Sequence, residues 1–422
     1  RNHIDIIFTG EESGYLEPCG CAEGQMGGMK RRYEFLKTID NDKHLILPVS
    51  LGDIPGMANR QNEIKAEIMF RAMDRMNYVV HNLGEKDIVL GGEILHYLSL
   101  ISDTAFISTN VKFTGDLDIK IDQYFIKEVE TKEFQIKIGF LGVLSPDLVE
   151  NNLYGEIEIV DPIEALMPLV KRLKKETDLL ILLSHTPEDE ALEIAEKFSE
   201  IDLVIAGHGI DTPDDSVKMV NDTVIASAGI YGKHLGMVRY LYAKKKLQIL
   251  TDNHIHHIKI VSLGKEFDKP SEMDELLEEY KFIIRDENLL GQHQKIKLNQ
   301  GGKYTGNQVC GTCHLNIFSH WKGTKHYAAY ETLKEKKSQF DPECVKCHTT
   351  GFDYYSGFES IEKTPGLNGV GCESCHGFGS LHVVDTEAPY GKVSERNCIN
   401  CHDPENSPQF EYTAYWEKIR HY

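Results

Sequence analysis

The 422-residue chain carries 66 Asp and Glu against 46 Lys and Arg, a formal net charge of -20, with 41% hydrophobic and 27% charged residues. That length and balance suit two or three globular domains with real cores. The acidic surface argues against nucleic acid and anionic membranes as partners, and no apolar run approaches the roughly 20 residues a bilayer-spanning helix needs.

In chain order, Ile4 to Thr9 is a short apolar run of strand length. Cys19 and Cys21 follow, one residue apart and beside several glycines. Ile64, Ile68, Met69, Ala72, Met73 and Met76 recur at helical spacing and predict a helix over 64–76. Leu179 to Leu183, Leu203 to Ala206 and Thr223 to Ala226 read as buried strands. Pro162 to Lys175 and Glu188 to Phe198 read as helices. This alternation predicts an α/β layered domain over 1–262. Leu51-Gly52-Asp53, Ser184-His185 and Ala206-Gly207-His208 put polar residues at predicted strand ends, where rim sites are built. The run His254-Ile255-His256-His257 predicts a solvated strand face with His254 and His256 on one side. Met273, Leu276, Leu277, Tyr280, Ile283 and Ile284 predict an amphipathic helix inside a linker over 263–300.

The remaining segment, 301–422, holds four frames of one kind. They are Cys310-Gly-Thr-Cys313-His314, Cys344-Val-Lys-Cys347-His348, Cys372-Glu-Ser-Cys375-His376 and Cys398-Ile-Asn-Cys401-His402. Each is the c-type haem attachment pattern. Two thiols three positions apart reach the two vinyl groups on one porphyrin edge, and the next histidine becomes the proximal iron ligand. Four c-type haems are therefore expected. The segment is rich in glycine and polar residues, and porphyrins would supply the interior it lacks. Covalent haem attachment takes place outside the cytoplasm, so the mature chain is expected to be periplasmic or extracellular with its leader removed. The segment holds four further histidines, His320, His326, His382 and His421, and no Met. A second axial ligand from within it is therefore His.

CHLNIFSHWKGTKHYAAYETL, GCESCHGFGSLH and SPQFEYTAYWEKIRH resemble the tetrahaem cytochrome c family that includes the electron acceptor of hydroxylamine oxidoreductase, and extracellular tetrahaem cytochrome filaments. The resemblance implies distal ligands at His326, His382 and His421. For the fourth iron it leaves His320, His293, a histidine of another molecule, or an open position.

GGMKRR, SLGD, NLGEKD, LSHT, DLVIAGHG and GKHLGMV resemble, in order, the calcineurin-like metallophosphoesterases of the 5'-nucleotidase branch. That resemblance implies a two-metal site, but the pattern is degenerate. Glu11 and Ser13 stand for an Asp and a His, Glu85-Lys86 for an Asn-His pair, and Ile210 for a His. Only Asp53, His185 and His208 are unchanged. An ammonium at Lys86 repels a dication and cannot coordinate while protonated, so phosphatase activity is expected to be lost. Cys19 and Cys21 lie just after the first loop. They form a disulfide, a redox site, or an S2N2 set with His185 and His208 for a single zinc or other metal.

The expectation is thus an α/β layered metallophosphoesterase-like domain, a helical linker, and a small, mainly α or irregular multihaem cytochrome c domain. The expected task is electron transfer between redox partner proteins, with head-to-tail polymerisation into an extracellular filament. The alternatives are an open haem acting on a small nitrogen or sulfur oxyanion, and a redox-linked metal site in the N-terminal domain.

Overall fold

The computed structural model describes the chain apart from positions 1–2, 21, 40–43, 115–118, 131–133, 150–156, 214, 217, 244–245, 250, 253–254, 257, 388–389 and 422. Cys21, His254 and His257 lie outside the described residues. The chain divides into two units, one of residues 1–18 and 26–277, the other of residues 19–25 and 278–422. The division falls inside the expected linker, within the helix Met273–Asp286. The short stretch carrying Cys19 belongs to the second unit.

The first unit is an α/β structure built on two mixed sheets. In one, His3–Thr9, His44–Ser50, Val80–Asn82 and Ala105–Ile107 run parallel, and His234–Ala243 joins the first of them antiparallel. In the other, Gln135–Leu144, Leu179–His185, Leu203–Ala206 and Thr223–Ser227 run parallel between antiparallel edges Tyr124–Glu130 and Lys218–Val220. Strand periodicity sorts the side chains. Leu179, Ile181 and Leu183 meet Ile4, Ile6, Phe8, Leu47 and Val49 in the core between the sheets. Leu180 and Leu182 point the other way, onto Leu166, Val170, Leu173 and Ile194. Burial on both faces is why these strands read as continuous apolar runs.

The helix Arg60–Arg75 buries Ile64, Ile68, Met69, Ala72 and Met73, as the spacing predicts. The Asn59 side chain caps it by accepting from Asn62 N at 2.9 Å. The helix expected over Pro162 to Lys175 is two pieces, Pro162–Leu166 and Val170–Glu176. Pro168 lies in the gap, and proline in a helix interior removes a donor and clashes with the preceding turn.

The second unit is mostly helical, with short helices. Its buried cluster is small: Tyr330, Leu333, Val345, Phe352, Phe358 and Leu367. Polar pins help to hold it. The buried Glu373 carboxylate accepts from the backbone N–H groups of Thr305, Gly306 and Gly379 at 2.7 to 3.0 Å.

Candidate functional site

The parallel strands of the first unit deliver polar residues from both sheets to one rim. Glu11 follows His3–Thr9, Asp53 follows His44–Ser50, and Glu85 follows Val80–Asn82. His185 ends Leu179–His185, and His208 follows Leu203–Ala206. Carboxyl ends of parallel strands are where α/β sheets place their sites. The turns are tight. Glu11, Ser13 and Asp53 have φ of 43°, 49° and 58°, a left-handed backbone that costs such residues free energy. A Cβ at Gly52 would lie 2.5 Å from Gly84 N, so the loops carrying Asp53 and Glu85 approach closely only because Gly52 has none. Asp87 clamps both loops by accepting from Asp53 N at 2.7 Å, Gly84 N at 2.8 Å and Ile54 N at 3.1 Å.

Within this frame, ligand atoms of Glu11, Glu85, His185 and His208 lie within 4.8 Å of one another. His185 Nδ1 lies 2.9 Å from Leu51 O and donates to it, which turns Nε2 toward Glu85 Oε2 at 2.6 Å. His208 Nδ1 is 3.3 Å from Glu11 Oε1 and 3.8 Å from Glu85 Oε2. Glu11 Oε2 accepts from Gly209 N at 2.8 Å. Lys86 Nζ sits 2.9 Å from Asp53 Oδ2, 3.0 Å from Ser13 Oγ, and 3.9 Å from both Glu11 and Glu85.

The electrostatics follow from this crowding. Burial disfavours charge on His185, but the carboxylates of Asp53 and Glu85 raise it to about 9. Burial raises Asp53 despite the pull of His185 and Lys86. Glu85 goes down: burial opposes the shift, and the hydrogen bond from His185 outweighs it.

Asp53, His185 and His208 thus come together as their strand-end positions suggest. Of the two sulfur ligands in the S2N2 alternative, Cys21 lies outside the described residues. Cys19 is engaged in a disulfide, so it offers no thiolate. Glu11 and Glu85, which count as losses against the two-metal pattern, supply the oxygen donors instead. Their signal was that each keeps an oxygen donor where the family has an Asp and an Asn.

In the second unit the frames lie on or just after short helices: Asn307–Cys313, Pro342–His348, Cys372–His376 and Glu395–Ile399. Cysteines of different frames are neighbours, Cys310 of Cys372 and Cys347 of Cys401. Burial and then the neighbouring Cys398 push the Cys375 thiol up to about 11. Nδ1 of His348 donates to Ala329 O at 2.6 Å, and Nδ1 of His376 to Gly391 O at 2.7 Å. His402 Nδ1 is bonded to Ser407 Oγ at 3.1 Å. The bonds to the two carbonyls fix the tautomer of His348 and His376 and leave Nε2 for a metal.

Three frame histidines face a second imidazole. Ring centres are 6.4 Å apart for His314 and His382, 6.2 Å for His402 and His326, and 5.8 Å for His376 and His421. Two imidazoles on opposite sides of one metal, each nitrogen about 2 Å from it and each ring centre about 1 Å further back, put ring centres about 6 Å apart. The spacing suits one iron between each pair. Among the described residues no imidazole faces His348 in this way. His320 is exposed and contacts no frame histidine ring. His293 is bonded to Asp353 at 2.8 Å and stacked on Phe352.

Comparisons with known proteins agree with both halves of this description. The family described as cytochrome c554 and c-prime matches residues 309–377. Cytochrome c-554 of Nitrosomonas europaea is 37% identical over 91 residues, 18% of this chain and 39% of that one. The crystal structure of a 5'-nucleotidase precursor from Thermus thermophilus superposes with a TM-score of 0.58 at 19% identity, covering 70% of this chain and 61% of that one. The calcineurin-like phosphoesterase YfkN from Bacillus subtilis gives 0.55 at 19% identity, over 67% and 97% of the two chains. The chain spans well under half the length of the curated relatives it matches first. Its C-terminal segment resembles the multihaem cytochromes of the c554 kind. Its N-terminal part resembles the calcineurin-like phosphoesterases and 5'-nucleotidases. Among the described residues, no helix is long and apolar enough to cross a membrane.

Proposed function

We propose that the chain is an extracytoplasmic multihaem cytochrome c that passes electrons between redox partner proteins and carries one haem with an open axial position. Cys310, Cys313 and His314, Cys344, Cys347 and His348, Cys372, Cys375 and His376, and Cys398, Cys401 and His402 would hold four haems. His382, His326 and His421 would be the distal ligands of the first, fourth and third. Haem supplies one-electron chemistry; the chain supplies ligation, orientation and burial. The observation that carries the reading is the contrast among frame histidines: three face a second ring at 5.8 to 6.4 Å and, among the described residues, His348 faces none.

The thiol neighbours support an order. The first frame adjoins the third, the third the fourth, and the fourth the second. The frame of His348 then ends the series, where a small nitrogen or sulfur oxyanion can reach a free axial position. Phosphoester hydrolysis by two metals is lost in this reading, because Lys86 Nζ takes up the Asp53 carboxylate that would bridge them.

Electron paramagnetic resonance of the oxidised holoprotein tests this. Three low-spin bis-imidazole signals and one high-spin signal are expected, and nitrite or cyanide converts only the latter. His382→Ala adds a second high-spin signal. Four low-spin signals at every dilution overturn the open haem. A fourth low-spin signal that grows with concentration means that another chain donates the histidine, as a head-to-tail polymer requires.

A further inference from the structure

Tyr390 meets histidines assigned above to two different haems. Its ring centre is 4.7 Å from that of His382, with the planes 6° apart, and 6.1 Å from that of His376, with the planes 24° apart. Its hydroxyl donates to Gly377 O at 2.5 Å, which anchors the ring at the end of the third frame. The next residue acts on the same frame, since Gly391 O accepts from His376 Nδ1 at 2.7 Å. That approach requires glycine. A Cβ at Gly391 would lie 2.5 Å from His376 O, and φ there is 46°.

His382 has the greater need of support. His376, His402 and His421 each have a partner at Nδ1, in Gly391 O, Ser407 Oγ and Ile419 O. His382 Nδ1 is buried and, among the described residues, has none. A hydrogen bond at that nitrogen is the usual means of fixing a metal-bound imidazole. Without one, nothing at Nδ1 stops the ring from turning about a bond from Nε2 to iron. Face-to-face packing opposes the turn, because rotation drives the imidazole edge into the ring stacked on it. The outcome is visible in the angles. His382 lies 21° from parallel to His314, whereas His326 and His421 are tilted by 48° and 53° against their partners.

We propose that Tyr390 is a positioning residue that fixes the ring plane of His382 and packs it with His376, so that ligands of the first and third haems are held as one rigid group. This rests on the haem ligation proposed above, and it concerns the first step of the frame order given there. The ring plane matters to the iron. Axial imidazoles separate its two dπ orbitals most when their planes are parallel, and that separation sets the magnetic anisotropy of a low-spin haem.

Electron paramagnetic resonance of the whole oxidised holoprotein reads this directly. The first haem's signal is the low-spin signal that His382→Ala removes. In the unaltered protein it should be the most rhombic of the low-spin signals. Tyr390→Leu should shift its principal g values toward the more anisotropic form of crossed rings, while haem content per chain and the signal of the fourth haem stay as they were. Tyr390 is half-buried and lies outside the apolar cluster of the second unit, so the variant should fold. Tyr390→Met, flexible and similar in volume, takes its place if haem loading drops. Tyr390→Phe keeps the ring and should keep the native signal, which separates stacking from the hydroxyl's bond to Gly377. A first-haem signal that is unmoved by loss of the ring, that moves as far in Tyr390→Phe, or that is the most anisotropic from the start overturns the role of Tyr390 alone. If His382→Ala removes no low-spin signal, the ligation itself falls and this inference falls with it.

Discussion

The two units fill their interiors with different material. In the first, Ile4, Ile6, Phe8, Phe140, Ile181 and Ile205 are fully buried between two sheets, and a second apolar layer lies beneath the helices. In the second, Tyr330, Leu333, Val345, Phe352, Phe358 and Leu367 make up the buried cluster for residues 278–422. A chain of that length normally buries far more apolar surface. The difference teaches where folding information resides. The first unit carries its interior in its own side chains, whereas in the proposed reading the second relies on haem for its interior, as small metal-dependent domains rely on their metals.

The largest expected effect breaks this comparison if it fails. Replacing Cys372 and Cys375 by Ala removes the covalent anchor that the proposed reading gives the third haem, in a frame whose Glu373 also pins Thr305, Gly306 and Gly379. The second unit should lose protection against limited proteolysis, while the first unit, residues 1–18 together with 26–277, stays resistant and keeps its own thermal transition. Equal resistance of both units would show that the second folds without its full cofactor set. Next in size is Phe140→Ala, at a fully buried position in the inter-sheet core. It should cost about 3–5 kcal/mol in denaturant unfolding of the first unit. The Soret band and the haem spin states should not move.

Legibility from sequence follows the same divide. The parallel strands were readable because Leu179 to Leu183 and Leu203 to Ala206 are short apolar runs bounded by polar residues, and their ends named Asp53, His185 and His208. Glu11 and Glu85 were not readable as donors, because comparison with a two-metal pattern scores each replacement singly. Their value appears only when Lys86 is seen paired with Asp53. The helix break at Pro168 was in plain sight, yet the apolar spacing on either side masked it. Cys19 was ambiguous for a physical reason. Sequence separation allows a thiolate ligand or a disulfide, and only the fold shows which chemistry the sulfur has. In the second unit the frames announced themselves, but which histidines face each other depends on how short helices pack, and no periodicity encodes that.

The smallest effect sharpens the comparison by isolating one neutral buried imidazole in the first unit. His234 is 7% exposed, opens the strand His234–Ala243 and is bonded to Ser262 Oγ at 3.2 Å. Burial, and then the charge of Lys233, lower its pKa below the ordinary 6.5, while Asp211 opposes them weakly. The unfolded chain therefore takes up a proton at His234 below pH 6.5 before the native chain does, and stability rises with pH in that window. The contribution is whole above pH 6.5 and is lost as pH falls toward the native value. His234→Gln removes the titration and keeps a polar partner for Ser262. The gap in unfolding free energy between the unaltered protein and the variant should narrow as pH drops from 7 to 5, by at most about 1.4 kcal/mol per pH unit. A gap that stays constant over that range would mean that His234 titrates alike in both states, and that this end of the sheet admits water in the native protein.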